Sequence, residues 1–244
     1  MSAGLLDGRV VLVSGAGGGL GGAAAKACAA EGACVVLLDK ATSRLEKLHD
    51  EIVLAGHRQP AIYPLDLGKA TEADYAELAA ILDSQFGVLH GLLHGAAELG
   101  VLGPLADVKA AQWDNLLRVN LSAAHGLTRA LLPLLQRAED ASIVFTSDSS
   151  ARVGKAYWGA YGVAKIALEG LARMWAEELE SAGRVRVNVL VPGPVNSPIR
   201  RRSHPGELAE ECPPPGTLAA RYVYLLSPAS HGVHGQTLEG PGEV

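Results

Sequence analysis

The sequence contains no uncharged apolar run long enough to cross a membrane. Its most hydrophobic early stretch, residues 21–38, is interrupted by Lys26 and Glu31, whereas a membrane-spanning helix needs about 18 or more apolar residues in succession. The first residues also lack a basic segment leading into an apolar one, which is the pattern of a secretory signal. We therefore expect a soluble, cytoplasmic protein with no membrane partner.

Neither sign of charge dominates. The 244 residues include 21 Lys and Arg and 26 Asp and Glu, for a formal net charge of −5. With 48% hydrophobic and 19% charged residues, the chain is apolar enough to form a core and offers no general surface for a polyanion. We expect no nucleic-acid partner and a single α/β domain spanning residues 1–244.

Cysteine is scarce, which argues against a disulfide framework or a structural zinc site. Cys28, Cys34 and Cys212 form no CxxC pair and leave an odd thiol, so we expect reduced, buried cysteines. Two pairs of closely spaced histidines have no third ligand nearby in the sequence. The sequence thus predicts no metal site.

Short apolar runs rich in β-branched residues alternate with longer helical patterns, which is typical of βαβ units in a parallel sheet. The predicted strands are residues 10–14, 34–38, 61–65, 89–95, 142–147, 185–191 and 236–239. The predicted helices are residues 20–31, 43–55, 71–86, 112–137, 157–181 and 218–226, with Thr71 as a cap. The fold class is therefore α/β, a doubly wound parallel sheet of about seven strands with helices on both faces.

One late segment, residues 192–216, breaks this alternation. It contains seven prolines, three consecutive arginines and little periodicity, so we expect a loop over the substrate side of a site. Arg200, Arg201 and Arg202 either attract a carboxylate or phosphate or form a solvated basic loop.

A glycine-rich turn lies between the first predicted strand and the first predicted helix. At this place in a parallel sheet, free N–H groups and the helix dipole favour a pyrophosphate, and glycines permit its close approach. A plain flexible turn is the alternative; the position between strand and helix favours nucleotide binding. The residues of this turn predicted to bind a nucleotide are Ser14, Gly15, Gly17, Gly18, Gly19, Leu20 and Gly21.

Two aspartates follow the next strands. Asp39 ends the second strand, where a carboxylate accepts hydrogen bonds from the ribose hydroxyls and repels a 2′-phosphate, which favours NAD over NADP. Asp66 follows the third strand. It either accepts a hydrogen bond from the adenine amino group or caps a turn.

Tyr161 and Lys165 stand four residues apart in a predicted helix. Side chains at this spacing share one helix face, and a nearby cation lowers the pKa of a phenol from its ordinary value of about 10. The tyrosine then becomes an effective proton donor and acceptor. A half-buried tyrosine beside a solvated lysine is the alternative.

Together these residues resemble the short-chain dehydrogenase/reductase family over almost the whole chain, and most of all a bacterial subgroup whose natural substrates are poorly defined. The resemblance covers a TGxxxGxG-like turn, a helix asparagine, a YxxxK pair, a PG segment followed by a hydroxyl residue, and the final strand. The residues that carry it are Ser14, Gly15, Gly19, Gly21, Asn120, Tyr161, Lys165, Pro192, Gly193, Ser197 and the run 235–238.

The resemblance implies a Rossmann-type fold and an NAD(P)-dependent oxidoreductase that interconverts a secondary alcohol and a ketone. Tyr161 would transfer the proton, Lys165 would tune it and bind the nicotinamide ribose, and Asn120 would hold a relay water. A small-molecule alcohol or carbonyl substrate and a homodimer or homotetramer are also implied. Further cofactor contacts are expected from Leu67, Gly95, Ala96, Pro192, Gly193, Val195 and Ser197.

One catalytic position departs from the family pattern. Where the family has a serine that donates to the reacting oxygen, this sequence has Asp148, between Ser147 and Ser149. Asp148 could donate as a neutral acid, a bulge could re-aim Ser149, or Asp148 could turn away and pair with Arg152 or a loop arginine. A carboxylate beside Tyr161 opposes the effect of the lysine. A nucleotide-binding protein with lost or altered catalysis is therefore the alternative function.

A second departure lies after the fourth predicted strand, where the family has NNAG and this sequence has residues 94–97, His-Gly-Ala-Ala. The asparagine that ties neighbouring strands together in the family is missing. We expect a local loss of rigidity there.

Overall fold

The computed structural model describes residues 4–240, which contain a seven-stranded, all-parallel sheet in the order β3-β2-β1-β4-β5-β6-β7. The strands are β1 Val10–Ser14, β2 Cys34–Asp39, β3 Ala61–Pro64, β4 Gly91–His94, β5 Ala141–Thr146, β6 Val185–Val191 and β7 Thr237–Glu239. This confirms the predicted Rossmann-type α/β class. We infer a single domain, since all seven strands belong to one sheet.

Nine α-helices lie within the described residues. They are α1 Gly19–Ala30, α2 Thr42–Leu54, α3 Glu72–Phe86, α4 Ala110–Leu117, α5 Ala123–Leu135, α6 Ser149–Arg152, α7 Gly159–Glu180, α8 Pro198–Ser203 and α9 Ala219–Leu226. None of the helices in residues 4–240 is both long and apolar enough to cross a membrane.

The helices cover both faces of the sheet. One core contains buried residues of α3, α5 and α7, such as Leu78, Leu127 and Leu168. The other core contains residues of α1, α2 and α9, such as Cys28 and Leu48. β1 and β5 are buried along their whole length, which explains why they read as continuous apolar runs rather than alternating ones.

Local sequence signals set several helix ends. The predicted cap Thr71 accepts a hydrogen bond from the N–H of Asp74, whose carboxylate accepts in return from the Thr71 N–H at 2.7 Å. Such a reciprocal pair satisfies two free N–H groups at a helix start. At the other end of α3, Gly87 has φ 68°, the left-handed geometry that glycine adopts most readily.

The predicted helix over residues 112–137 is interrupted. A π-helical turn at Arg118–Ser122 separates α4 from α5, and such turns occur often at functional sites. The predicted helix over residues 157–181 begins later, at Gly159, because Tyr157 has φ 71°, which is outside the helical range. Gly159 itself has φ 50°. The segment 192–216 is also less irregular than expected, since it contains α8.

Candidate active site

A cleft of about 480 Å³ opens at the carboxyl ends of the strands, where the strand order reverses between β1 and β4. In doubly wound sheets this position is the usual ligand site. The predicted site residues that line it are Gly15, Gly18, Gly19, Leu20, Gly21, Asp39, Asp66, Leu67, Gly95, Ala96, Asp148, Ser149, Tyr161, Lys165, Pro192, Gly193, Val195 and Ser197. Ser14, Gly17 and Asn120 are the predicted residues that stand outside its wall.

Gly15 in the β1–α1 turn and Gly21 in the first turn of α1 leave no space for a side chain. Gly15 has φ 71°, and a Cβ there would lie 2.6 Å from backbone atoms of Ala96. A Cβ on Gly21 would lie 2.2 Å from the Gly15 carbonyl oxygen. The turn and the start of α1 are therefore packed backbone against backbone, and α1 presents its free N–H groups to the cleft.

Ser14 supports this turn from behind. Its hydroxyl donates to the Leu93 carbonyl at 3.2 Å and accepts from the N–H groups of Gly95 and Ala96 at 3.2 and 3.4 Å. These bonds join β1 to the segment that follows β4. Ser14, which the sequence predicted to bind a nucleotide, thus supports the wall of the cleft but does not line it.

His94 stands where the family has its strand-joining asparagine. The imidazole Nε2 lies 2.8 Å from the Thr128 hydroxyl of α5, and the ring stacks on Phe145 at 4.6 Å between centroids. Burial and the charge of Lys165 lower the pKa of His94 to about 3, so the imidazole is neutral. His94 and Ser14 supply other contacts at this strand end, and the expected local loss of rigidity stays a prediction.

The two aspartates after β2 and β3 are both held by backbone N–H groups. The Asp39 carboxylate accepts hydrogen bonds from the N–H of Gly17 at 3.1 Å and from the N–H of Ala41 at 3.0 Å. The bond to Gly17 holds that residue against Asp39, outside the lining of the cleft. Asp66 accepts from Gly68 at 3.0 Å, as in the turn-capping alternative. Both carboxylates nevertheless line the cleft.

Tyr161 and Asp148 are hydrogen-bonded to each other. The buried phenol donates to Asp148 Oδ2 at 2.9 Å, while Oδ1 accepts from the Ser150 N–H at 2.8 Å at the start of α6. Burial raises the pKa of Tyr161 well above its ordinary value, and the charge and hydrogen bond of Asp148 raise it further. Asp148 therefore points into the cleft.

The alternative in which Asp148 pairs with an arginine was wrong. Arg152 binds Glu169 at 3.3 Å and also Glu239. The loop arginine Arg200 binds Glu207 in a two-pronged contact with both distances 2.6 Å.

Lys165 is fully buried beside this pair. Its ammonium donates to the Thr146 carbonyl at 2.7 Å and lies 5.8 Å from the centroid of the Tyr161 ring. Burial lowers the pKa of Lys165 to about 8, against the opposing effect of the Asp148 charge. The contact with Thr146 is not predictable from residue types, because the acceptor is a backbone carbonyl.

The serines that flank Asp148 point to different places. Ser147 is buried and donates to Glu169 Oε1 at 2.6 Å on the opposite side. Ser149 is exposed, begins α6 and lines the cleft. Both residues follow the end of β5, and their side chains diverge: Ser147 bonds to Glu169, whereas the phenol bonds to Asp148.

Asn120 lies in the π-helical turn and holds the loop that follows β4. Its Oδ1 accepts from the Glu98 N–H at 3.1 Å, and its Nδ2 donates to the carbonyls of Glu98 and Leu116, both at 2.9 Å. The side-chain amide is thus occupied by backbone. Both amide protons and one lone pair of Oδ1 are therefore used to hold this loop and α4.

A sequence profile described as short chain dehydrogenase matches residues 9–208. The chain belongs to the short-chain dehydrogenase family. It is 35% identical over 239 residues to the uncharacterized oxidoreductase YciK of Escherichia coli K12, covering 98% of this chain and 94% of that protein.

Solved short-chain dehydrogenases share the whole fold. A structure from Pseudomonas syringae superposes with a TM-score of 0.95 at 46% identity, covering 98% of this chain and 96% of that one. A structure from Shigella flexneri in complex with NADP has a TM-score of 0.94 at 34% identity, covering 98% and 99%. As a member of this bacterial type of short-chain dehydrogenase, the chain has an NAD(P)-binding fold, and the tight cradle at Gly15 and Gly21 fits a dinucleotide.

The wall of the cleft beside Tyr161 is apolar in this short-chain dehydrogenase. Leu99, Trp158 and Tyr161 form a small buried cluster, against which Ile199 of α8 packs. The sequence reasoning missed this wall, although Trp158 stands three residues before Tyr161, one turn away along the chain.

The three loop arginines are neither free nor merely solvated. Besides the contact of Arg200 with Glu207, Arg201 donates to Asn196 Oδ1 at 2.7 Å and Arg202 to the Gly100 carbonyl at 2.8 Å. Ser197 caps α8 by accepting from the Arg200 N–H at 3.1 Å. Arg200 and Arg201 thus make contacts within the segment 192–216, and Arg202 joins it to the loop after β4.

Proposed function

We propose that this protein is an NAD(P)(H)-dependent oxidoreductase that interconverts a small secondary alcohol and a ketone. The observation that carries the proposal is the position of Tyr161 and Lys165 on the wall of the same cleft as the glycine-rich turn. The nicotinamide supplies the hydride acceptor or donor. The chain supplies the proton chemistry and the geometry.

Each site residue has a proposed role. Tyr161 exchanges a proton with the substrate oxygen. Lys165 supplies positive charge beneath the phenol and binds the nicotinamide ribose. Asn120 fixes the loop after β4 and offers its backbone to a relay water, and Asp148 or Ser149 orients the reacting group.

The dinucleotide would extend along the wall of the cleft. Gly15, Gly19 and Gly21 would admit the pyrophosphate, with Asp39 at the adenosine ribose and Asp66 and Leu67 at the adenine. Gly95 and Ala96 would pass beneath the ribose next to the nicotinamide. The amide of the nicotinamide would meet Pro192, Gly193, Val195 and Ser197.

We propose NAD(H) as the favoured cofactor, with NADP(H) bound less well. Asp39 supports this preference, since its carboxylate lies at the ribose end and repels a 2′-phosphate. Two observations weigh on the other side: Lys40 and Arg44 line the same end of the cleft, and the Shigella flexneri relative binds NADP. Separate titrations with NADH and NADPH decide the preference.

The test of the proposal has two parts. Fluorescence titration with NADH should show saturable binding, and a panel of alcohols and ketones should show turnover that collapses in Tyr161→Phe. Absence of NADH and NADPH binding would contradict the cofactor assignment.

A second candidate function is nucleotide binding with little turnover. It is favoured by one observation, the hydrogen bond from Tyr161 to Asp148, which raises the pKa of the phenol that the lysine should lower. NADH binding without turnover across the panel would support this candidate, whereas a Tyr161-dependent activity would reject it.

We also propose a homodimer or homotetramer built on the two long helical segments predicted at residues 112–137 and 157–181, which correspond to α4 with α5 and to α7. Val163, Ile166 and Met174 of α7 are 40%, 49% and 66% exposed, and apolar side chains on one helix face are typical of an interface. Light scattering should show a multiple of the 25.3 kDa chain mass, and Met174→Glu should lower it. The cytoplasmic location stays a prediction from the sequence.

A further inference from the structure

The reacting end of the cleft carries a carboxylate that accepts hydrogen bonds. Asp148 accepts a hydrogen bond from the Tyr161 hydroxyl at 2.9 Å. It therefore lies one hydrogen bond away from the group proposed to meet the substrate. An ionised carboxylate accepts hydrogen bonds and donates none. The polarity of this position is therefore opposite to that of a donor hydroxyl.

This polarity does not suit a ketone. A ketone oxygen has lone pairs and no proton, so it offers nothing to the Asp148 carboxylate. During its reduction negative charge develops on that oxygen, and a second negative charge within hydrogen-bond distance opposes the development. The nearby cation, Lys165, donates to the Thr146 carbonyl at 2.7 Å, and within the described residues no ion pair joins it to Asp148.

A nitrogen in place of the oxygen reverses both effects. An amine N–H and an iminium N–H are both hydrogen-bond donors, so the carboxylate has a partner before and after the reaction. When an amine is oxidised, positive charge develops on the nitrogen. A fixed negative charge at that point stabilises the transition state.

The remaining wall defines the rest of the substrate. Leu99, Trp158 and Ile199 form an apolar surface beside Tyr161. The loop arginines that line the cleft, Arg200 and Arg202, are bound to Glu207 and to the Gly100 carbonyl. An apolar ring that contains the reacting nitrogen fits this surface.

We propose that the site transfers hydride at a carbon bonded to nitrogen, interconverting a small cyclic secondary amine and its imine in preference to an alcohol and a ketone. In oxidation the C–H bond breaks and hydride leaves with its electron pair for the bound NAD(P)⁺, which is reduced. The lone pair of the neutral amine nitrogen forms the C=N bond, and the iminium directs its N–H toward Asp148. This proton passes to solvent when the iminium becomes the imine. Reduction is the reverse, with NAD(P)H as the hydride donor.

This inference rests on the NAD(P)(H)-dependent hydride transfer of the proposed function and places a nitrogen where that function has the substrate oxygen. One experiment separates the two. The wild-type protein is assayed with NADH and NADPH against 3,4-dihydroisoquinoline and 1-tetralone, an imine and a ketone of similar size. The same assay is run on Asp148→Ser, on the isosteric Asp148→Asn, and on the control Glu46→Gln, an exposed carboxylate of α2. Thermal unfolding checks that every variant is folded.

The expected wild-type result is a kcat/KM for the imine at least about tenfold above that for the ketone. In Asp148→Ser and Asp148→Asn this ratio should fall by about tenfold or more, while in Glu46→Gln it should not change. If Asp148→Ser fails to fold, Asp148→Asn carries the test.

Two results overturn the inference in different ways. A wild-type preference for the ketone that both Asp148 variants leave unchanged would refute it while leaving the proposed function intact. Turnover of neither probe, with NADH bound, would refute the hydride-transfer function itself and the inference with it.

Discussion

The nucleotide end and the chemical end of the cleft are constrained by different kinds of contact. At the nucleotide end, Gly15 and Gly21 are fixed by backbone contacts that no side chain can enter. At the chemical end, the carboxylate of Asp148 accepts a hydrogen bond from the Tyr161 hydroxyl and lies near the cation of Lys165. A fold that binds a dinucleotide therefore constrains the first end by shape, whereas the second end is open to a change of charge and of substrate.

The largest expected effect tests the chemical end alone. In Tyr161→Phe the ring keeps its packing against Trp158 and loses only the hydroxyl that donates to Asp148. Since a positioned acid or base contributes about 10²–10⁴-fold, we expect kcat to fall by that factor. Stopped-flow or steady-state assays measure the fall, and NADH titration should give a Kd within about twofold of wild type. A variant that keeps full activity would remove Tyr161 from the mechanism.

The next effect tests the nucleotide end. Gly21→Ala places a Cβ 2.2 Å from the Gly15 carbonyl oxygen, so α1 or the turn must shift. We expect NADH affinity to fall by about tenfold or more, because the N–H groups at the start of α1 lose their alignment with the pyrophosphate. The matched control is Gly206→Ala, where a Cβ meets nothing within 4 Å. Equal affinities in the two variants would contradict the backbone cradle.

The pH dependence connects the two ends through Lys165. Because its pKa is lowered to about 8, the ammonium is present below pH 8 and is lost as the pH rises. We expect kcat/KM for NADH, which reports groups of the free protein, to be level below pH 8 and to fall by about tenfold per pH unit above it.

The same pH profile in Asp148→Ser sharpens this point. The Asp148 charge raises the pKa of Lys165, so its removal should move the falling limb to lower pH. If kcat/KM for NADH falls at the same pH in Asp148→Ser as in the wild type, a group other than Lys165 causes the fall.

The sequence predicts those parts of the cleft that depend on side-chain types at fixed spacing, and it does not predict those that depend on backbone geometry. The glycine turn, Asp39 and the Tyr161–Lys165 spacing are visible because a residue type at a fixed spacing carries the function. The hydrogen bond from Tyr161 to Asp148 and the contact of Lys165 with Thr146 were not predicted, because they depend on strand-end direction and on a backbone carbonyl. The π-helical turn at Asn120 likewise interrupts a pattern that reads as one continuous helix.

The smallest effect concerns the support behind Asp148. Glu169 is buried and accepts from Ser147 at 2.6 Å while binding Arg152 at 3.3 Å. Glu169→Ala leaves both without this partner, and since hydrogen bonds to charged groups contribute about 1.5–3 kcal/mol, we expect the free energy of unfolding to fall by about that amount. Urea unfolding measures it, with Glu46→Gln as the exposed control. A loss equal to that of the control would show that this network does not stabilise the end of β5.

The central claim is that the nucleotide end is unaltered and that Asp148 alone changes the chemical end. The most direct measurement compares wild type with Asp148→Ser for NADH affinity and for kcat/KM with a ketone substrate. We predict NADH Kd values within about twofold of each other and a ketone kcat/KM that rises by about tenfold or more in the variant. An unchanged ketone kcat/KM, or an equally large change in NADH affinity, would contradict the claim.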